Sequence, residues 1–336
     1  MNTQTETRWI VTADDWGFSP LTNGAILAAA RERHLTHTSM MANMPFCEEG
    51  LLQLANEAPQ LGIGLHFTLT SGRPVLPQEE VPLLVDAEGR FCHGFFALWR
   101  KAAAPEWQRQ IRLELDAQWN RASEILAKVG RTLSHVDSHQ HIHAIPGIFP
   151  LAAARAEAAN IRLRVPVEPF GSVRRFFRRF PHWFPAGLAK RVLLRFCLRR
   201  QRSDIVYVGV LDSGQMTASA WRAILQAFQN RAISLEVNLH PATCSDLTAY
   251  RDVLECSPGD LRFWSSPARV AEWNAVMEVP ICGSHNGIPF SQRVLEPWCE
   301  APTADGKTEI SKGVSLDHPQ RETCGEQAPH ADGTDA

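Results

Sequence analysis

Two adjacent carboxylates, Asp14 and Asp15, follow an apolar run in "RWIVTADDWG". Two like charges this close disfavour each other's ionisation. A bound divalent cation offsets that repulsion; a solvated turn or the cap of the next helix avoids it. Consecutive side chains leaving a strand point in different directions. One carboxylate can therefore hold a metal while its neighbour faces water or substrate. His66 closes a second apolar run, "LGIGLH", and His240 a third, "LEVNLH". Either is a structural histidine when read alone, and His240 is also a candidate general acid or base.

The segment "HVDSHQHIH" places His135, Asp137, His139, His141 and His143 at alternating positions. In a continuous strand these five share one face. Burying such a row is costly without a metal or a polar site, and its apolar flanks argue against an exposed histidine-rich edge. Some members are expected to orient the imidazole of a ligand histidine. The spacing is not that of the helical HExxH zinc motif. Together these residues suggest a mononuclear site of one Asp and two His with open coordination positions. Imidazole ligands favour zinc, or a similar transition metal, over magnesium. Such a metal polarises a carbonyl and helps to generate hydroxide, with Asp14 placed to take the water's proton. The chemistry indicated is hydrolysis of an amide or ester.

Short β-like runs alternate with helical patterns through most of the 336 residues. The strands expected are "RWIVTADD", "HTSMMANM", "GIGLHFTL", "LSHVDSHQHIH", "IRLRVPVEP", "DIVYVGVLDSG" and "ISLEVNLHPA". Ser19-Pro20 reads as an N-cap with proline at the first helical position, and Gly130 as the stop of a long helix. Alternation of this kind predicts a parallel α/β fold, in which ligands gather at the carboxyl ends of strands. Asp14, Asp15, His66, His139, His141 and His240 all fall at or near such ends.

Hydrophobic residues make up 44% and charged residues 21% of the chain, with a net charge of −2. These are values of an ordinary soluble domain. Eight scattered cysteines form no CxxC pair, which argues against a structural zinc knuckle and for free thiols. No apolar run has the length of a membrane span, and the N-terminus lacks signal-peptide features; a cytoplasmic protein is expected. Residues 174–202 hold ten Arg or Lys, no acid, and many Phe, Trp and Leu. That composition suits either a solvated lid or an interfacial segment on anionic lipid; no accompanying motif supports nucleic-acid binding. The polar stretch 301–336 is expected to be a disordered tail.

"TADDWG", "GLHFTLTSGRPV", "HVDSHQHIH" and "LEVNLHPA" resemble the landmark motifs of the YdjC/ChbG-like carbohydrate deacetylases. Tryptophan stands here where the family usually has phenylalanine after the acid pair. The resemblance runs from about Arg8 to Val279. "LRVPVEP", the basic insertion, "VGVLDSGQMT" and "RFWSSPARVAEW" are similar to the hopanoid-biosynthesis-associated (HpnK-like) branch. The family resemblance implies an irregular TIM-like β/α barrel over residues 1–300, with the insertion at 170–203. It implies metal-dependent removal of acetyl from an N-acetylated amino sugar. Asp15, His66 and His139 match the family's metal ligands and Asp14 its catalytic base. His240 matches a late strand-end histidine, assigned here as the acid for the leaving amine. No role carries over to His141 or His143. The metal expected is zinc, with magnesium or another divalent ion as alternatives. The branch implies an N-acetylglucosaminyl hopanoid substrate and peripheral contact with the inner membrane surface through 174–202. The rival readings are a deacetylase of soluble chito-oligosaccharides and a non-catalytic metal- or carbohydrate-binding barrel. Oligomeric state stays open.

Overall fold

A computed structural model describes residues 7–169, 186–199, 201, 203–229 and 231–279. The expected tail at 301–336 and the insertion residues 170–185 lie outside the described residues. The strands are β1 (Arg8–Trp16), β2 (His37–Met40), β3 (Gly62–Phe67), β4 (His135–Ser138), β5 (Arg162–Leu163), β6 (Ile205–Val208) and β7 (Ser234–Leu239). They form a curled, wholly parallel sheet, a half-barrel, in the order β5-β4-β3-β2-β1-β7-β6. The α/β barrel-like architecture expected from the sequence is the one observed.

The helices of the described residues are α1 (Pro20–Arg31), α2 (Leu51–Glu57), α3 (Phe95–Lys101), α4 (Pro105–Ala127), α5 (Phe149–Ala158), α6 (Ala186–Cys197), α7 (Ala218–Phe228), α8 (Arg251–Leu254), α9 (Pro258–Trp264) and α10 (Ala268–Glu278). Their starts follow local chemistry. The Ser19 hydroxyl accepts from the Thr22 N–H, with Pro20 at the first turn of α1. Ser257 and Pro258 repeat the device at α9. Helix α4 carries buried Gln110, Glu114 and Gln118 at successive turns. These accept from the backbone N–H groups of Leu83, of Val75 and Leu76, and of Thr68. One polar stripe thus satisfies a long loop after β3 that has no ladder of its own.

Strand β1 is central, paired with β2 on one side and β7 on the other. Its register with β2 slips between Ala13 and Trp16, where the acid pair sits. Asp15 has φ 69°, a left-handed conformation that Asp tolerates better than most residues. Irregularities of this kind re-aim side chains at sheet ends. Here the slip turns both adjacent carboxylates into one cavity while giving them different partners. Gly17 follows at φ +96°, where a Cβ would stand 2.8 Å from the Cys47 Cα; only glycine fits this exit.

The expectation that His135, Asp137, His139, His141 and His143 share one strand face is corrected by the structure. Strand β4 ends at Ser138, and residues His139–Ala144 form a 3-10 turn with Gln140 and His141 at positive φ. Ser138 Oγ accepts the His143 N–H at 2.9 Å and bonds its Nδ1, while His143 Nε2 donates to the Arg164 carbonyl at 2.9 Å. These bonds stop the strand and fold the last two histidines back. Among the described cysteines, Cys47, Cys92, Cys197, Cys244 and Cys256 are free thiols, as expected.

Candidate functional site

A cavity of about 310 Å³ opens at the carboxyl ends of the strands, lined by Asp14, Asp15, His66, His139, His141 and His240 among others. Of the residues that the sequence nominated, these six are brought together on the cavity, while His135, Asp137 and His143 are buried behind it and do not line it.

The centre is Asp15. Its Oδ1 lies 2.9 Å from His66 Nε2 and 2.8 Å from His139 Nδ1. Its Oδ2 is buried and has no hydrogen-bond partner among the described residues. One donor atom from each of Asp15, His66 and His139 falls within 4.8 Å of the others. Behind each imidazole stands a second carboxylate. Asp137 Oδ1 is 2.6 Å from His66 Nδ1, and Asp260 Oδ1 is 3.1 Å from His139 Nε2. A carboxylate behind an imidazole fixes its tautomer and raises its basicity toward a metal.

The electrostatics of the centre suit a cation. Asp14, Asp15, Asp137, Glu236 and Asp260 are buried carboxylates around it, while Arg162, Arg164 and Lys190 are its fixed cations. The excess of two negative charges equals the charge of one divalent cation. The same excess of carboxylates acts on the imidazoles. Against the desolvation that opposes charging, Asp137 and Asp15 raise His66 to about 10. Asp15 and Asp260 likewise raise His139 to about 9. Two proton-hungry imidazoles around an orphaned carboxylate oxygen suit a divalent ion, and the N/O donor set suits zinc or a similar metal.

Asp14 faces another way. Arg164 grips it with two bonds, Nη1 to Oδ2 at 2.8 Å and Nη2 to Oδ1 at 2.9 Å. Ser39 Oγ donates to Oδ1 at 3.1 Å and Asn238 Nδ2 to Oδ2 at 3.2 Å. Arg164 is fully buried and also reaches Asp137 at 2.7 Å and Glu236 at 2.7 Å. It is the hub of the site. His240 Nε2 stands 4.0 Å from Asp14 Oδ2. Its backbone N–H donates to Glu272 Oε2 at 2.7 Å, and its ring lies edge-on to Phe263. Burial holds this imidazole below its ordinary range.

The site's neutral histidines set an acid limit. Burial pushes His143 down to about 4, and lowers His37, His135 and His141 as well. An imidazole with a depressed folded pKa binds its proton first in the unfolded chain, so stability falls as pH drops from about 6.5 toward 4. For His143 alone the loss approaches about 3 kcal/mol across that window. Urea midpoints of the metal-free protein at pH 7.0, 5.5 and 4.5 are expected to fall in that order. A flat profile contradicts the neutral, buried assignment.

Arg164, Asp260, Glu272 and Lys190 were not nominated from sequence. Arg164 lay in the quoted "LRVPVEP", where its alternation with apolar residues reads as a solvent-facing position. Asp260 follows the Ser257-Pro258 cap and reads as a first-turn acid of the helix, which it also is. Glu272 and Lys190 sit inside helical patterns that give no sign of a catalytic neighbour.

The family model of YdjC-like proteins matches residues 8–279, a span that holds every residue of this site. A carbohydrate deacetylase of Brevibacillus brevis is 41% identical over 157 residues, covering 47% of this chain and 58% of that protein. A carbohydrate deacetylase of Geobacillus stearothermophilus is 38% identical over 178 residues, covering 52% and 62%. A chitooligosaccharide deacetylase of Yersinia enterocolitica is 36% identical over 184 residues, covering 53% and 68%. The chain thus matches about three fifths of the length of the first two relatives. With the acid pair, the histidine turn and the late histidine all inside the matched span, the chain belongs to the YdjC-like protein family.

Proposed function

We propose that this protein is a divalent-cation-dependent deacetylase that hydrolyses the acetamide of an N-acetylated amino sugar. The observation that carries this reading is the Asp15–His66–His139 cluster beside Asp14 and His240 on one cavity. The printed names of the relatives, carbohydrate and chitooligosaccharide deacetylases, agree with it. Asp15, His66 and His139 would hold the cation, zinc first. When bound, it supplies Lewis acidity at the acetamide carbonyl and makes water easier to deprotonate.

The chain's own residues handle the protons. Asp14 takes one from the attacking water. Asn238, its longest donor at 3.2 Å, gives way to that proton. His240 Nε2, 4.0 Å away, relays it to the nitrogen as the C–N bond breaks. Water and acetamide thus become acetic acid and amine, and the acid's proton passes to the amine, so that acetate and the ammonium form of the sugar leave. Arg164 keeps Asp14 in place throughout.

For the substrate, the reading is an amino sugar carried on a hopanoid-type polycyclic lipid. Helix α6 leaves Val192 and Phe196 exposed, and α3 leaves Phe96 and Trp99 exposed. Basic Arg100, Lys101, Arg195 and Arg199 accompany them with no acid on either helix. Apolar and basic side chains in that combination suit the surface of an anionic membrane. Among the described residues no helix is long and apolar enough to cross one. The second reading, a soluble chito-oligosaccharide substrate, is favoured by the name of the Yersinia relative.

Acetate release from N-acetylglucosaminyl bacteriohopanetetrol and from N,N′-diacetylchitobiose, with zinc-loaded and chelator-treated protein, decides between them. Zinc-dependent release from the lipid alone is expected. Release from the soluble sugar alone transfers the assignment to the second reading. No release from either, with zinc demonstrably bound, overturns the deacetylase.

A further inference from the structure

Helix α6 belongs to the basic insertion, and its cations divide by task. Arg191 lies 3.6 Å from the Glu168 carboxylate and donates to the Glu168 and Pro169 carbonyls. Arg195 donates to the Glu168 carbonyl as well. Leu194 and Leu198 are buried beneath the helix. These contacts anchor α6 to the chain that follows β5. Glu168 in turn accepts from the Gly209 and Val210 N–H groups, so the same anchor shapes the loop that gives the cavity Val210 and Ser213.

Lys190 takes no part in this anchoring. It sits one residue before Arg191, is partly buried, and lines the cavity with Asp15, His139 and Asp260. Its ammonium packs 5.0 Å from the centre of the Phe95 ring and makes no hydrogen bond among the described residues. Burial lowers it to about 8, with Asp260 opposing the shift. A partly buried ammonium with three donors and no acceptor is costly to keep. The fold does not use it as a brace. What remains is a cavity-lining residue whose three ammonium donors have no hydrogen-bond partner among the described residues.

We propose that Lys190 is a substrate-positioning residue, whose ammonium donates to hydroxyl or carbonyl oxygens of the amino sugar and seats its acetamide over the Asp15–His66–His139 cluster. The inference rests on the deacetylase reading and deepens it: part of the sugar subsite comes from the insertion and not from the strand ends. The insertion is then a component of the site as well as a surface.

The test uses the full chain loaded with zinc, with Lys190→Met and Lys190→Arg as variants and Lys128→Met, on an exposed surface pair, as the control. Circular dichroism and cobalt titration confirm that each variant folds and binds metal. With N-acetylglucosaminyl bacteriohopanetetrol dispersed in detergent, Lys190→Met is expected to lower kcat/KM about 10–100-fold, the worth of one or two charge-assisted hydrogen bonds. The loss falls mainly in KM, as for an interaction made in both ground and transition states. Arginine recovers most of it. An unchanged KM, or a loss confined to kcat, overturns the positioning role. If wild type releases no acetate from this lipid or from N,N′-diacetylchitobiose, the deacetylase reading fails, and a tryptophan-fluorescence titration with the same lipid still judges Lys190. Binding weakened about tenfold or more by Lys190→Met supports the subsite; equal or absent binding in both chains overturns it.

Discussion

Replacing Asp14 by asparagine is expected to cut acetate release about a thousandfold, within the range usual for loss of a general base. The variant keeps the Asp15–His66–His139 cluster, so cobalt titration should give an affinity near that of wild type. Asparagine keeps one oxygen for Arg164 and Ser39 but turns an amide NH₂ toward the other guanidinium nitrogen and Asn238, both donors. A moderate loss of stability accompanies the loss of rate, and the assay belongs well below the variant's unfolding temperature. The two losses separate cleanly, because misplacement of the cation would appear in the cobalt spectrum. A variant that folds, binds cobalt and turns over at the wild-type rate removes Asp14 from the mechanism.

The largest effect on stability is expected at Arg164. Its guanidinium faces Asp14, Asp137 and Glu236, all buried. Methionine matches much of its volume but leaves three carboxylates without their shared cation. Breaking a buried ionic cluster from one side typically costs about 3–5 kcal/mol, because the remaining charges stay desolvated. The exposed pair Arg31–Glu57 is a fair comparison; Arg31→Met should cost under about 1 kcal/mol. Urea unfolding of the two variants at pH 7 makes the test. Equal losses would mean that the interior of the site tolerates bare carboxylates, and the charge argument for a divalent cation would fall with it.

The fold was legible because parallel α/β chains write it twice, in apolar runs of strand length and in the capped helices between them. Ser19-Pro20 opened α1 as its residues indicated. The site was legible where chemistry sits on strand ends: Asp14, Asp15, His66, His139 and His240 all line the cavity. Legibility failed where a local rule was overridden by a tertiary bond. The alternation after Asp137 looks like a strand, but hydrogen bonds from His143 to Ser138 and to the Arg164 carbonyl end it. Arg164 and Asp260 escaped for a related reason. Each has an ordinary local explanation, and only the packing of distant elements gives it a second task.

The pairing of β1 with β7 joins Arg8 to Ser234 and Ala13 to Leu239, which orders events during synthesis. The ribosome makes Glu236, Asn238 and His240, partners of the two acids, more than two hundred residues after them. At about 5–20 residues per second, β1 waits ten seconds or longer with one edge open. A nascent chain arrested before β7 therefore carries the Asp15 cluster's residues but no closed pocket around them. The cavity around Asp15, His66 and His139 is therefore complete only after β7 has been made.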